Sequence, residues 1–174
     1  MAHLVVAYPK VSMRDDEWLS SLKQRFPGLD PSSLGPHFTL VFPIADADEA
    51  ELIEHVRETV QGQRAIPFAI RCALPINDYA SEEYYVLLVP DEGFSGIVKL
   101  HDRLYTGPLA PLLYPDIPFT PHITVGHAPD GQLCRRVADE LNAEDFTIAG
   151  ILDRVDLIEK EGDSIRTVER FMLG

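Results

Sequence analysis

One order of secondary structure occurs twice along this chain, and it limits the possible folds more than any other feature of the sequence. Apolar and polar residues alternate in the strand-like segments, whereas apolar residues recur every three or four positions in the helix-like segments. Each half therefore predicts strand, helix, strand, helix, strand, and one added strand closes a hairpin across Glu161-Gly162-Asp163. The predicted strands are 3–8, 37–42, 66–74, 84–89, 122–127, one strand within 146–158, and 165–173. The four predicted helices have apolar stripes that include Trp18, Leu52, Ile97 and Val137.

A polar, turn-rich stretch from Pro75 to Glu83 separates the two halves. We therefore predict one domain of 174 residues, built from lobes of approximately 1–76 and 83–174. If a pseudo-twofold axis relates the lobes, equivalent residues face each other across a shared cleft. Pro43 is expected to end the second strand, because proline cannot donate a hydrogen bond to the sheet.

Two matching segments open the second strand of each half. They are Gly35-Pro36-His37-Phe38-Thr39-Leu40-Val41 and Thr120-Pro121-His122-Ile123-Thr124-Val125-Gly126. In a chain of this composition, His-x-Thr is expected by chance well under once. Because side chains alternate along a strand, each histidine points to the same side as its threonine, about 6 to 7 Å away. The duplication thus predicts that His37, Thr39, His122 and Thr124 form one site.

This set of side chains suits phosphoryl chemistry. One neutral imidazole can accept a proton from an attacking hydroxyl or water, while a second, protonated imidazole donates one to the leaving oxygen. Imidazole titrates at about pH 6.5, so both protonation states are accessible near neutrality. The threonine hydroxyls can hold the phosphate oxygens. No metal site is predicted, because HxH and HExxH spacings are absent and neither motif contains a carboxylate.

The other histidines are assigned differently. His101 lies on the apolar stripe of a helix, which is typical of a hydrogen-bonded core residue. His127 is an odd number of residues from His122, so it is predicted to face the opposite side of its strand, outside the catalytic set. His3 and His55 have no local signal.

Composition limits the partners. The net charge of −13 argues against wrapping long nucleic acid, because sequence-independent affinity for phosphate backbones comes from Lys and Arg. No apolar stretch approaches the roughly 20 residues of a membrane helix, and the N-terminus lacks the basic segment of a signal peptide. We therefore predict a cytoplasmic protein that makes no membrane contact. A monomer is expected, although none of these features bears on the oligomeric state. Cys72 and Cys134 lie on apolar stripes and are predicted to be buried thiols.

The motifs resemble those of the 2H phosphoesterase superfamily, which includes bacterial 2'-5' RNA ligase-like proteins and cyclic nucleotide phosphodiesterases. HLVVAYPK, HFTLVF, EYYVLLVP, FTPHITV and the closing DLIEKEGDSIRTVERFMLG resemble family segments, in the family's order. The resemblance implies a bilobal α+β fold in which two antiparallel-rich sheets line a central cleft and the helices lie outside. It also implies that His37 and His122 are the acid and base, that Thr39 and Thr124 bind phosphate, and that no cofactor is needed.

The predicted substrate is a small nucleotide or an RNA-end phosphodiester. Many bacterial relatives have an arginine shortly after the second motif, where this chain has Gly126-His127-Ala128. The absence of this arginine and the negative net charge favour a small phosphodiester, such as a 2',3'-cyclic phosphate that is hydrolysed, over folded RNA. Four alternatives stay open: 2'-5' RNA ligase-type activity with acid and base exchanged, a non-catalytic module that binds nucleotides or RNA ends, a metal-dependent hydrolase, and a structural or interaction protein.

Four further side chains are predicted to line the cleft and bind substrate. Tyr8, Tyr85 and Phe119 lie near the strand ends or the loop expected around the cleft, and aromatic faces stack on bases. Arg71 faces away from the apolar residues of its strand, where it could contact phosphate.

Overall fold

The computed structural model describes residues 1–78 and 81–174. Its strands are β1 (Ala2–Ala7), β2 (Lys10–Val11), β3 (Phe38–Ala45), β4 (Ile66–Asp78), β5 (Glu83–Glu92), β6 (Ile123–Ala128), β7 (Ile148–Leu152), β8 (Arg154–Glu161) and β9 (Ser164–Met172). Its helices are α1 (Met13–Arg25), α2 (Glu49–Val60), α3 (Phe94–Leu104), a 3-10 helix (Gly107–Leu112) and α4 (Gly131–Asn142). The four predicted helices and the α+β class are confirmed. The single strand predicted within 146–158 is instead two strands, β7 and β8, and the sequence did not predict β2 or the 3-10 helix.

Helix ends follow the local sequence signals. The Ser12 hydroxyl accepts a hydrogen bond from the backbone N–H of Asp15 and caps α1, and the Asp48 carboxylate caps α2 in the same way. The last hairpin turns at Gly162, whose φ of 58° is the left-handed conformation that glycine adopts without a steric penalty. The hairpin turn was predicted correctly because it depends on residues close together in the chain.

All nine strands belong to one antiparallel sheet, in the order β2-β7-β4-β5-β6-β3-β1-β8-β9. The two sheets expected from the sequence are therefore joined, through the pairing of Phe38 in β3 with Ile123 in β6. Only Asp153 separates β7 from β8, yet these strands lie near opposite ends of the order. The sheet must therefore curl back on itself, with residues 148–161 bridging its two ends.

The two halves of the chain exchange strands. The third strand of the first half, β4, pairs with β5 of the second half, and β8 of the second half pairs with β1 of the first. The proposed lobes 1–76 and 83–174 therefore do not correspond to separate parts of the sheet. Their boundary lies within the β4–β5 hairpin, because the extended pairing of these strands continues through Pro75 to Asp78. Part of the predicted turn, residues 79–80, lies outside the described residues.

Helices cover one face of the sheet. The main core packs Phe38, Val41, Ile123 and Leu88 against apolar residues of the four α-helices. A much smaller apolar group of Leu4, Val6 and Ile158 lies on the other face of the sheet, next to Tyr8 and Leu34. We call this second face, which none of the α-helices covers, the open face. It carries the motif side chains.

Two sequence expectations need correction in detail. Pro43 does not end β3, which runs on to Ala45. A β-bulge opposite Leu4 interrupts the regular pairing at this point, so the proline does not need to donate a hydrogen bond to β1. Both cysteines are free thiols, but only Cys134 is buried, and Cys72 is partly exposed. Among the described residues, we find no helix with the length and apolar character needed to cross a membrane.

Candidate active site

The strand register brings the two motifs together. Phe38 and Ile123 are direct partners in antiparallel strands, so continuing the register by one residue places His37 opposite Thr124 and His122 opposite Thr39. Phe38 and Ile123 point into the main core, and the four motif side chains therefore share the open face. The histidines are diagonal neighbours, for which backbone separations of roughly 7–8 Å are typical. Residues 85 positions apart in sequence thus form one four-residue array.

Each histidine ring is held by the residue two positions before it. His37 Nδ1 lies 2.7 Å from the carbonyl oxygen of Gly35, and His122 Nδ1 lies 2.7 Å from that of Thr120. A carbonyl oxygen only accepts hydrogen bonds, so Nδ1 carries the proton in both neutral rings. Nε2 is then the nitrogen free to exchange a proton. In His37 it lies 3.2 Å from the Thr39 hydroxyl, which donates to it.

Both imidazoles favour their neutral forms. Burial is the main cause that lowers the pKa of His37, and the nearby charges of His122 and Lys160 add to it, while the Gly35 carbonyl opposes it. Burial also lowers the pKa of His122, against the opposing effect of the Thr120 carbonyl. The effect of His122 on His37 agrees with the short separation that the strand register gives. Without substrate, the resting pair is therefore neutral at pH 7.

A third histidine shares the open face. Leu87 pairs with Thr124 but Val86 pairs with Gly126, so Val125 is an extra residue that forms a β-bulge. The extra residue shifts the alternation of side chains by one position. His127, the partner of Tyr85, therefore points to the same side of the sheet as Thr124. The prediction that His127 faces away was wrong, because counting residues along one strand cannot detect a bulge.

The His127 ring packs against Tyr85, with ring centroids 5.1 Å apart. Its nitrogens lie 3.4 Å from a Glu83 oxygen and 3.8 Å from an Asp30 oxygen. Tyr85 therefore lies on the open face, beside His127 and not beside His37 and His122.

Tyr8 lies next to the first motif. Its ring centroid is 6.3 Å from that of His37, and it packs on the small apolar group of the open face. Burial raises the pKa of its hydroxyl, as does Asp156, while Arg154 and Arg170 oppose the shift. Tyr8 is thus placed where a ligand bound at His37 would meet an aromatic ring.

Two other predicted binding residues have different environments. Phe119 stacks on His101 at 3.7 Å, and His101 is a buried residue whose Nδ1 lies 2.8 Å from the Leu40 carbonyl. The core assignment of His101 is confirmed, and Phe119 packs with it on the helical side. Arg71 forms ion pairs with Asp91 at 2.7 Å and Glu92 at 2.5 Å. Two carboxylates already neutralise this guanidinium, so its surroundings do not favour phosphate binding.

One potential metal-ligand group occurs among the described residues, and it is separate from the motifs. His3, Glu49 and Glu159 place ligand atoms within 4.8 Å of one another. Arg166 donates hydrogen bonds of 2.7 Å to both carboxylates. These contacts form an ion-pair network that ties α2 to the β8–β9 hairpin.

The chain is similar to two curated bacterial proteins along its whole length. Relatives from Geobacillus kaustophilus and Bacillus licheniformis, both provisionally named phosphoesterases, are 25% and 24% identical. The alignments cover 100% of this chain and 97% and 99% of the relatives.

Solved structures share the fold. A protein of Thermus thermophilus superposes with a TM-score of 0.65 at 16% identity, covering 99% of this chain and 98% of that one. Apo LigT of Escherichia coli superposes with a TM-score of 0.60 at 15% identity, covering 99% and 96%. The family model of the 2'-5' RNA ligase superfamily matches residues 2–164. Since this match spans both motifs and nearly every strand, the chain belongs to the 2'-5' RNA ligase superfamily of 2H phosphoesterases.

Proposed function

We propose that this protein is a metal-independent phosphodiesterase that hydrolyses a small phosphodiester by acid–base catalysis at His37 and His122. The preferred substrate is a 2',3'-cyclic phosphate, on a nucleotide or at an RNA end. One observation carries the proposal: both rings are anchored through Nδ1 on one open face, so both Nε2 atoms can act on a phosphate held between them. Thr39 and Thr124 complete the array as hydroxyl donors to the phosphate oxygens.

The reaction needs one neutral and one protonated imidazole. The neutral ring takes a proton from water as the water oxygen bonds to phosphorus. The protonated ring gives its proton to the ribose oxygen as the bond between that oxygen and phosphorus breaks. Burial keeps both free rings neutral, so the negative charge of the bound phosphate must raise the pKa of one of them. Substrate binding therefore prepares the acid.

Structures with the same fold support a nucleotide ligand. LigT of Escherichia coli has been solved with 3'-AMP, with NADP+ and with ATP. A 3'-nucleotide is one of the two products that opening a 2',3'-cyclic phosphate can form. The half-buried ring of Tyr8, next to His37, is available to stack on a base.

The proposal is tested with adenosine 2',3'-cyclic phosphate in excess chelator. His37→Ala and His122→Ala should each lower kcat/KM by at least about 100-fold, the lower range for loss of a general acid or base. His55→Gln is the control, since His55 is a half-buried histidine bonded to the Leu104 carbonyl on the helical side. Equal rates in the parent and both site variants would refute the catalytic roles. Activity that disappears in chelator would indicate a metal-dependent hydrolase.

The threonines are tested by Thr39→Val and Thr124→Val, which preserve shape but remove the hydroxyl. Each should raise KM or lower kcat about tenfold, as expected for losing one hydrogen bond to a charged group. If the parent binds 3'-AMP but turns over no cyclic phosphate or RNA end, the protein is a binding module and the catalytic proposal fails.

A further inference from the structure

The two sides of the open face differ in chemistry. Beside β6, the face continues onto β5 and β4 with Leu87, Leu74 and Ile76, of which Leu74 and Ile76 are exposed. Beside β3, it continues over β1 onto β8 and β9, where the alternation of buried core residues places Arg154, Asp156 and Lys160 on the open face. We call the side formed by β8 and β9 the basic wall. An anionic group of a ligand would meet Arg and Lys side chains on this wall.

Arg170 pairs with Asp156 across β8 and β9, so part of its guanidinium is already occupied by a carboxylate. It donates to both carboxylate oxygens of Asp156, at 2.9 and 2.8 Å. Asp156 is completely buried, so it needs this paired cation. The Asp156–Arg170 pair is therefore a structural element of the wall, and it leaves the charge of Arg154 uncompensated.

Arg154 is in line with His37. Extending the registers by one or two residues places Tyr8 beside His37 and Arg154 beside Tyr8, on successive strands. Neighbouring strands are about 4.8 Å apart, so the backbones of His37 and Arg154 are separated by about 10 Å. A substrate whose phosphorus lies at the histidines can thus extend over Tyr8 to the guanidinium.

Arg154 also lacks an acceptor. Its Nε is buried and has no hydrogen-bond partner in the described part of the chain, although buried polar atoms are nearly always paired. The other buried atom without a partner is Oδ1 of the adjacent Asp153, whose second oxygen lies 3.5 Å from the Lys10 ammonium. Arg154 makes no ion pair with any residue in 1–78 or 81–174, and the same holds for Lys160. The positive charge of Lys160 nevertheless acts on His37.

From these observations we infer that Arg154 forms a second anion subsite, which selects phosphodiesters bearing another phosphate within one nucleotide of the reacting one. This inference rests on the proposed function and deepens it. Arg154 as a whole is half-exposed although its Nε is buried, and the planar fork of a guanidinium is suited to bind two phosphate oxygens at once. The second phosphate can be a 5'-phosphomonoester on a cyclic nucleotide or the preceding phosphodiester of an RNA end. Lys160 adds charge to the same wall.

Binding of products tests the subsite without requiring turnover. Calorimetry compares 3'-AMP with adenosine 3',5'-bisphosphate, which differ only in the second phosphate. The parent should bind the bisphosphate about 10- to 100-fold more tightly, the range expected for a charge-assisted hydrogen bond. Arg154→Gln should reduce this preference to below about threefold, and Arg154→Lys should retain part of it. Arg71→Gln is the matched control, because Arg71 is a strand arginine already neutralised by two carboxylates.

Equal affinity of the parent for both ligands, or an undiminished preference in a folded Arg154→Gln variant, would overturn the subsite. Kinetics then separate the two sources of the second phosphate. A lower KM for the 5'-phosphorylated cyclic nucleotide than for a dinucleotide with a cyclic end supports the monoester, and the reverse order supports an RNA end. If Arg154→Gln abolishes the bisphosphate preference but no cyclic phosphate is turned over, the subsite stands and the proposed function fails. If the histidine variants lose turnover but the parent shows no preference for the bisphosphate, the proposed function stands and the subsite fails.

Discussion

Replacing Phe38 by leucine tests whether core packing sets the distance between His37 and His122, the two histidines that we propose to be catalytic. Phe38 is completely buried, and its ring meets Phe68 edge to face at 5.3 Å and 73°. Phe38 and Ile123 are the only pair that joins β3 to β6 in the described ladder. Because the hydrogen-bonded contact between the motif strands is so short, we expect side-chain packing behind it to position His37 relative to His122.

The cost in stability follows from the contacts that are lost. Leucine has three fewer side-chain carbons, worth about 2 kcal/mol at about 0.8 kcal/mol for each buried group. Loss of the ring pair adds about 0.5–1.5 kcal/mol. Phe38→Leu should therefore lower the free energy of unfolding by about 2–4 kcal/mol, measured by urea denaturation. It should also lower kcat/KM for adenosine 2',3'-cyclic phosphate at least about tenfold, because a displacement of about 1 Å between catalytic groups can cost about 100-fold.

The matched control is Phe26→Leu. Phe26 is a buried core residue at the C-terminal end of α1 and belongs to neither motif strand. It should lose about 2 kcal/mol of stability by the same transfer argument, while kcat/KM stays within about twofold of the parent. If the two variants are equally destabilised and Phe38→Leu keeps the parent kcat/KM, packing at the β3–β6 junction does not set the catalytic geometry.

Three further predictions follow from burial and backbone conformation. Since burial lowers the pKa of both His37 and His122, kcat/KM should be bell-shaped with its maximum below about pH 6.5, and a maximum above about pH 7.5 would contradict the assignment. Protonation of the same two histidines should also lower the free energy of unfolding. A histidine whose pKa is lower in the folded than in the unfolded chain favours folding above about pH 6.5, and this contribution is lost as the pH falls towards the folded pKa. Urea midpoints at about pH 7.5 and about pH 5.5 check this, and midpoints that do not fall in acid would refute it. Gly93→Ala should cost at least about 2 kcal/mol, because φ is 79° and the new Cβ would clash with the Pro67 carbonyl oxygen. Gly62→Ala, at φ 72° in open space, should cost only about 1 kcal/mol, and equal thermal shifts in the two variants would show that the contact at Gly93 is unimportant.

Most of the fold could be predicted because its signals are local. The alternation in residues 66–74 and the apolar stripes of the helices depend only on which side chains share a side of one element. The pairing of the two motifs was predictable for a related reason. When two halves have the same order of elements, few arrangements bury the apolar residues of both halves. In the nearly symmetric arrangement observed, the second strands of the two halves, β3 and β6, are neighbours at the centre of the sheet.

The sequence by itself therefore determined the elements, the family motifs and the four residues His37, Thr39, His122 and Thr124. Tertiary structure alone decided which strands the halves exchange and that a bulge at Val125 turns His127 onto the open face. It also decided that the Nε atom of Arg154 has no hydrogen-bond acceptor within residues 1–78 and 81–174. The physical reason is the range of the interactions involved. The direction of a side chain follows from its position within one strand or helix. A bulge, a strand exchange or an unpaired guanidinium is instead defined by residues distant in the chain.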